Sequence, residues 1–102
     1  MNDANLYLCP VCGFDALEVP PYEGEICPSC GTEFGLTDEH TDHATLRHAW
    51  AMRGAPWWGR PSRRPLHWQP LEQLLNVGHE ATPEEHAAIL RAYATESNRK
   101  AA

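Results

Sequence analysis

Cys9-Pro10-Val11-Cys12-Gly13, repeated in kind as Cys27-Pro28-Ser29-Cys30-Gly31, decides how this chain is read. Two Cys-x-x-Cys pairs, each followed by glycine and separated by a hairpin-sized stretch, have the spacing of a four-thiolate metal site. Two thiolates reach one tetrahedral ion at about 2.3 Å only if the backbone between them folds into a tight turn. Pro10 and Pro28 hold φ near the value such a turn needs, and Gly13 and Gly31 permit positive φ or close approach of backbone to sulfur. Cys9, Cys12, Cys27 and Cys30 are the whole cysteine complement. The expected cofactor is one zinc ion on four thiolates. Iron is a possible substitute, because the same donor set would serve a rubredoxin-like electron carrier, although rubredoxins separate their knuckles by a much longer stretch.

Other readings of the cysteines meet physical objections. Two disulfides would require an oxidising compartment, and Met1-Asn2-Asp3-Ala4-Asn5 has neither the basic nor the apolar region of a secretory signal. A thioredoxin-like pair would need a βαβ context that the short stretch between the knuckles cannot supply. No apolar run approaches the ~20 residues of a membrane span. The expectation is a reduced, cytoplasmic protein with no membrane contact.

Outward from the knuckles, Phe14-Asp15-Ala16-Leu17-Glu18-Val19 alternates apolar and charged residues, Pro20-Pro21-Tyr22-Glu23-Gly24 marks a turn, and Glu25-Ile26 leads into the second knuckle. This pattern predicts a β-hairpin, hence a small zinc ribbon over residues 1–37, with Leu6 and Leu8 extending its sheet and Phe34 and Leu36 covering its end. Residues 38–102 are expected as a helical extension packed with the ribbon as one unit. Its first helix starts at a Thr41 or Asp42 cap, carries Leu46 and Trp50 inward and stops at Gly54. A Pro/Trp/Arg strap follows at 55–70. A short helix then runs through Leu71, Leu74 and Leu75. The last helix opens with Thr82 at N-cap, Pro83 at N1 and Glu85 at N3, and presents His86, Ile89, Leu90 and Tyr93 as its apolar stripe. The fold class expected is α+β: a ribbon, about three helices and a strap.

Charge divides the chain sharply. Residues 1–42 hold nine acids and no lysine or arginine, while residues 43–71 hold five arginines and no acid; the whole carries a formal net charge of -6. Zinc on four thiolates contributes a further formal charge of about -2. An acidic ribbon around an anionic centre repels itself. The arginine segment is therefore expected to dock on it, Arg63 and Arg64 foremost.

The strap is the expected functional surface. Its four prolines exclude regular helix, and Trp57, Trp58 and Trp68 are too costly to leave in water as a loose linker. Tryptophan and arginine are also enriched at interface hot spots. Trp57, Trp58, Arg60, Arg63, Arg64 and Trp68 are thus the candidate partner-binding residues of a protein–protein interaction module, the partner being another protein or a second copy. Nucleic acid is the alternative partner, since arginines meet phosphate and indoles stack on bases, but the net acidity opposes it. His40 and His43, with Asp38, Asp42 and His48 nearby, form a conceivable weak second metal site. Nothing like His-Glu-x-x-His occurs, and every cysteine is committed to the metal, so neither enzymatic activity nor a small-molecule substrate is expected.

The run Cys9-Pro10-Val11-Cys12-Gly13-Phe14, Leu17-Glu18-Val19-Pro20 and Glu25-Ile26-Cys27-Pro28-Ser29-Cys30 resembles the cysteine-rich CPCC family of small bacterial proteins. The resemblance covers roughly the first half of the chain and extends to Leu46-Arg47, Ala49-Trp50 and Gly54-Ala55. Val11 stands where that family has a third cysteine. What the resemblance implies is a bacterial zinc-binding ribbon with no defined molecular activity.

Overall fold

The computed structural model describes residues 6–22, 24–39 and 41–101, the side chains of 95–101 excepted. Asp42 begins the first helix, α1 (His43–Met52), its carboxylate accepting the Thr45 N–H at 2.7 Å. α1 ends in a Schellman turn: Gly54 N–H reaches Ala51 O at 2.9 Å and Ala55 N–H reaches Trp50 O at 3.0 Å. The turn needs left-handed backbone at Gly54, φ +94, and Ala55 after it is left-handed too, at φ +52. Gly54 also packs flush on the last helix, where an added Cβ would lie 2.6 Å from Ala92 Cβ.

After the strap, which holds one 3-10 turn at Pro61–Arg63, come α2 (Pro70–Leu75) and α3 (Pro83–Ala101). The capping box at α3 forms in full, Glu85 N–H to Thr82 Oγ1 at 3.1 Å and Thr82 N–H to Glu85 Oε1 at 2.9 Å. α1 and α3 pack against each other. The buried face of α3 is Glu85, Ala88 and Ile89 with Tyr93 beside them; Leu90 and His86, expected in the stripe, are exposed.

The zinc ribbon is not what forms. Among the described residues there is no β-strand, and the expected α+β hairpin is replaced by three helices and two irregular knuckle loops. Leu17 pairs backwards with Tyr7 through hydrogen bonds of 2.9 and 3.1 Å, and Ile26 bridges forward to Glu33. Each knuckle is therefore closed by its own flanks, and neither flank pairs with the other knuckle's. Pro20 and Pro21 have no N–H to give a ladder across the turn, and Tyr22 N–H folds back to Pro20 O at 2.7 Å. Leu6, Leu8 and Leu36 are exposed, while Phe34 enters the core.

That core joins the two halves of the chain. Val11, Phe14, Leu17, Phe34 and the four cysteines meet Trp50, Ala51, Ala55, Leu74 and Ile89 in one buried cluster. The strap contributes through its aromatic rings. Phe14 and Trp57 meet edge to face at 5.4 Å, Trp57 and Trp68 likewise at 5.4 Å, and Trp68 lies 6.3 Å from Trp50. Each of these indoles has its N–H satisfied: Trp50 by Pro56 O, Trp57 by Arg60 O and Trp68 by Gln73 Oε1.

Candidate metal centre

Both knuckles take the same turn. Cys9 N–H donates to Phe14 O and Gly13 N–H to Cys9 O; in the second, Cys27 N–H donates to Thr32 O and Gly31 N–H to Cys27 O, all between 2.8 and 3.0 Å. Gly13 and Gly31 sit at φ +86 and +82, which explains why each Cys-x-x-Cys is followed by glycine. The turns bring the four Sγ atoms within 4.8 Å of one another, with Cys9 to Cys30 at 3.9 Å and Cys12 to Cys27 at 3.7 Å. A tetrahedron built on thiolate bonds of about 2.3 Å has edges of about 3.8 Å, so the cage has the size a tetrathiolate ion requires. The cysteines are free thiols, not disulfides.

Four sulfurs this close cannot all lose their protons without a cation among them. Burial, reinforced by the neighbouring sulfurs, pushes the Cys12 thiol well above its ordinary value. Hydrogen bonds from Cys12, Cys27 and Cys9 hold Cys30 well below it. A divalent cation removes this conflict by neutralising all four thiolates together. The donor set and the cage dimensions thus fit a resident metal ion.

The walls around the cage come from distant parts of the chain. Arg47 of α1 donates from Nε to Val11 O at 2.7 Å and from Nη2 to Pro10 O at 2.8 Å. Gln73 of α2 donates from Nε2 to Cys12 O and to Ser29 Oγ, spanning both knuckles, while Asn76 Nδ2 reaches Gly13 O at 2.9 Å. Thr32 Oγ1 lies 3.3 Å from Cys30 Sγ, from where the hydroxyl can donate to a thiolate. The strap covers the second knuckle: Trp58 N–H bonds to Ser29 O at 3.0 Å and Gly59 N–H to Pro28 O at 2.8 Å. The Trp58 indole rests on Gly31, where an added Cβ would lie 2.4 Å from Cδ1.

The arginine bonded to the knuckle backbone is therefore Arg47, where the sequence pointed first to Arg63 and Arg64. Arg63 is exposed and lines a groove with Phe14, Pro28 and Trp57; Arg64 lines a second groove with Trp57, Trp68 and Tyr93. Of the remaining candidate partner-binding residues, Trp57 and Trp68 are half-buried, whereas Trp58 and Arg60 are exposed. His40 of the conceivable second metal site lies outside the described residues. His43 Nε2 bonds to Asp38 Oδ2 at 3.1 Å, and among the described residues the four cysteines alone assemble as a metal-ligating group.

One constellation escaped the sequence reading. Glu85 is completely buried, and its carboxylate meets His79 Nε2 at 2.8 Å and His48 Nδ1 at 2.6 Å in addition to Thr82 N–H. Burial raises its pKa, but the Thr82 N–H and the two imidazoles outweigh burial and bring it to about 2. The capping-box pattern placed Glu85 at N3. Nothing in the spacing marks His48, 37 residues earlier, as its partner.

Comparison with known proteins adds one partial likeness. A 41-residue stretch is 44% identical to the uncharacterised protein YoaQ of Bacillus subtilis (strain 168), covering 33% of this chain and 35% of that protein. The chain thus spans about a third of the length of that curated relative. No family model matches the chain. No solved structure matches it either.

Proposed function

We propose that this protein is a structural zinc protein: one zinc ion on Cys9, Cys12, Cys27 and Cys30 holds two knuckles together so that the helices and the strap can present a protein-binding face. The observation that carries this reading is the closed cage. Four sulfurs lie within 4.8 Å, each cysteine is buried, and the knuckle backbone is held by Arg47, Gln73, Asn76 and the strap. A site with four protein thiolates has no open position for a substrate or a metal-activated water, so its role is to hold structure. Zinc supplies folding free energy there, because the ligands are assembled only in the folded chain.

A protein partner is favoured over nucleic acid by how the indoles are used. Trp57 and Trp68 pack edge on against Phe14 and against each other with their N–H groups committed, and Trp58 lies on Gly31. Those rings are poor stacking platforms for bases. The test is metal analysis of the purified protein with thermal melts before and after chelation. One zinc per chain and loss of the cooperative transition on chelation are expected. Stoichiometric iron, with visible thiolate-to-iron absorption, would sink the zinc assignment, and a metal-free chain melting unchanged would sink the structural role.

A further inference from the structure

The monomer leaves a large electrostatic and apolar complementarity unused. Among the described residues no carboxylate forms an ion pair with Arg53, Arg60 or Arg63, whereas Asp38 and Glu85 pair with histidines. Meanwhile Glu18 and Glu25 are exposed on the acidic loop between the knuckles. That loop also carries apolar side chains into solvent: Tyr22 is 71% exposed at its tip, with Val19 and Ile26 exposed on its flanks. Leu66 of the strap is 88% exposed.

Between strap and α3 lies a concave groove of about 420 Å³ walled by Pro56, Trp57, Pro61, Trp68 and Tyr93, with Arg64 on its rim. Leu66 stands on the adjoining lip, beside Arg64 and Tyr93. This is room for an aromatic side chain, bordered by positive charge. A second groove of about 460 Å³ sits on the other side of Trp57, and here Glu18, Val19 and Ile26 of the acidic loop share a lining with Trp57 and Arg63. Donor loop and acceptor groove thus adjoin through Trp57, which lines both grooves. A two-fold interface needs this arrangement, because each copy must offer both halves of the contact on the same patch.

We propose that this face closes on a second copy of the chain, Tyr22 of each copy entering the Trp57/Trp68/Tyr93 groove of the other while Glu18 and Glu25 meet the partner's Arg60 and Arg63. The inference rests on the reading of the strap as a protein-binding face and names its occupant. A phenol among indoles and prolines gives the buried aromatic anchor typical of interface centres, and the surrounding carboxylate and guanidinium groups set orientation. The exposed Arg60 and Arg63 thereby acquire an acidic counterpart from another molecule.

Sedimentation equilibrium on the zinc-loaded full chain tests this, from low micromolar to several hundred micromolar and at two salt concentrations. The expected result is a monomer–dimer equilibrium that weakens with salt. Tyr22→Ala and Leu66→Gln alter exposed side chains, so zinc content and melting temperature should hold while the dimer weakens at least about tenfold. Glu18→Arg and Arg63→Glu should each weaken it, and the double swap in one chain should restore it. A wild-type chain that stays monomeric throughout, or a dimer indifferent to Tyr22→Ala and to both charge reversals, would overturn the proposal. Zinc content and melting read on the same samples report separately on the metal-centred function, which a monomeric result would leave standing.

Discussion

The two knuckles share a sequence pattern, a turn and a pair of left-handed glycines, yet they are walled by different materials. Gly13 of the first is pressed against the backbone of α2, an added Cβ falling 2.1 Å from Gln73 O, and Arg47 and Asn76 clamp the carbonyls around it. Gly31 of the second is covered by the exposed indole of Trp58, a side chain that can swing aside. The same local motif is thus fixed to the helical body at one end and roofed by a strap at the other. Identical turns do not imply identical rigidity; the restraint comes from what packs on them.

The harshest way to break the comparison is to remove a ligand both knuckles depend on. Cys12→Ser or Cys27→Ser should abolish stoichiometric zinc binding and the cooperative melt alike, since either loss leaves buried thiols without their cation. Substituting the two glycines separates the knuckles. Gly13→Ala combines positive φ with a backbone clash and should cost about 4 kcal/mol in denaturant titration, whereas Gly31→Ala, relieved by Trp58, should cost about 1.5 kcal/mol. Equal costs would erase the distinction drawn here.

The helical body has its own test in Glu85, which ties α1 and the α2–α3 loop to the start of α3. Glu85→Ala should cost about 3 kcal/mol, because it strips two imidazoles and a helix cap of a buried partner. The pH dependence has a definite sign. The folded carboxyl titrates at about 2 against an ordinary 4.5, so its stabilisation is complete above pH 4.5 and fades as pH falls toward 2. The stability gap between the wild type and Glu85→Gln should close as pH falls through that window. Arg47→Gln should cost about 2 kcal/mol through two lost charge-assisted bonds to the first knuckle, while leaving the second knuckle's amide exchange unchanged.

The clustering of the four cysteines and the helix ends were legible because their determinants are local. A Cys-x-x-Cys-Gly turn, a Thr82–Glu85 capping box and a glycine after α1 each declare themselves within a few residues. The hairpin was misread because alternation at Leu17 and Val19 signals an extended segment without naming its partner, and the prolines at 20 and 21 deny the pairing across the turn. Leu90 was misassigned by its neighbour Ile89, one step around the helix from the buried face. Arg47, Gln73 and Asn76 were invisible as walls of the cage because they act on backbone carbonyls, and a carbonyl acceptor leaves no mark in a sequence.

The separation between cage and walls also sets an order of assembly. Synthesis delivers both knuckles first, while the Gln73 that seals Cys12 follows 61 residues later and the Asn76 that holds Gly13 follows 63 residues later. Each knuckle turn is closed by its own neighbours and so can form before the helices that shelter it exist. During that interval the four sulfurs have no shelter from Gln73 or Asn76. The walls therefore close last, over knuckles whose turns need only neighbouring residues to form.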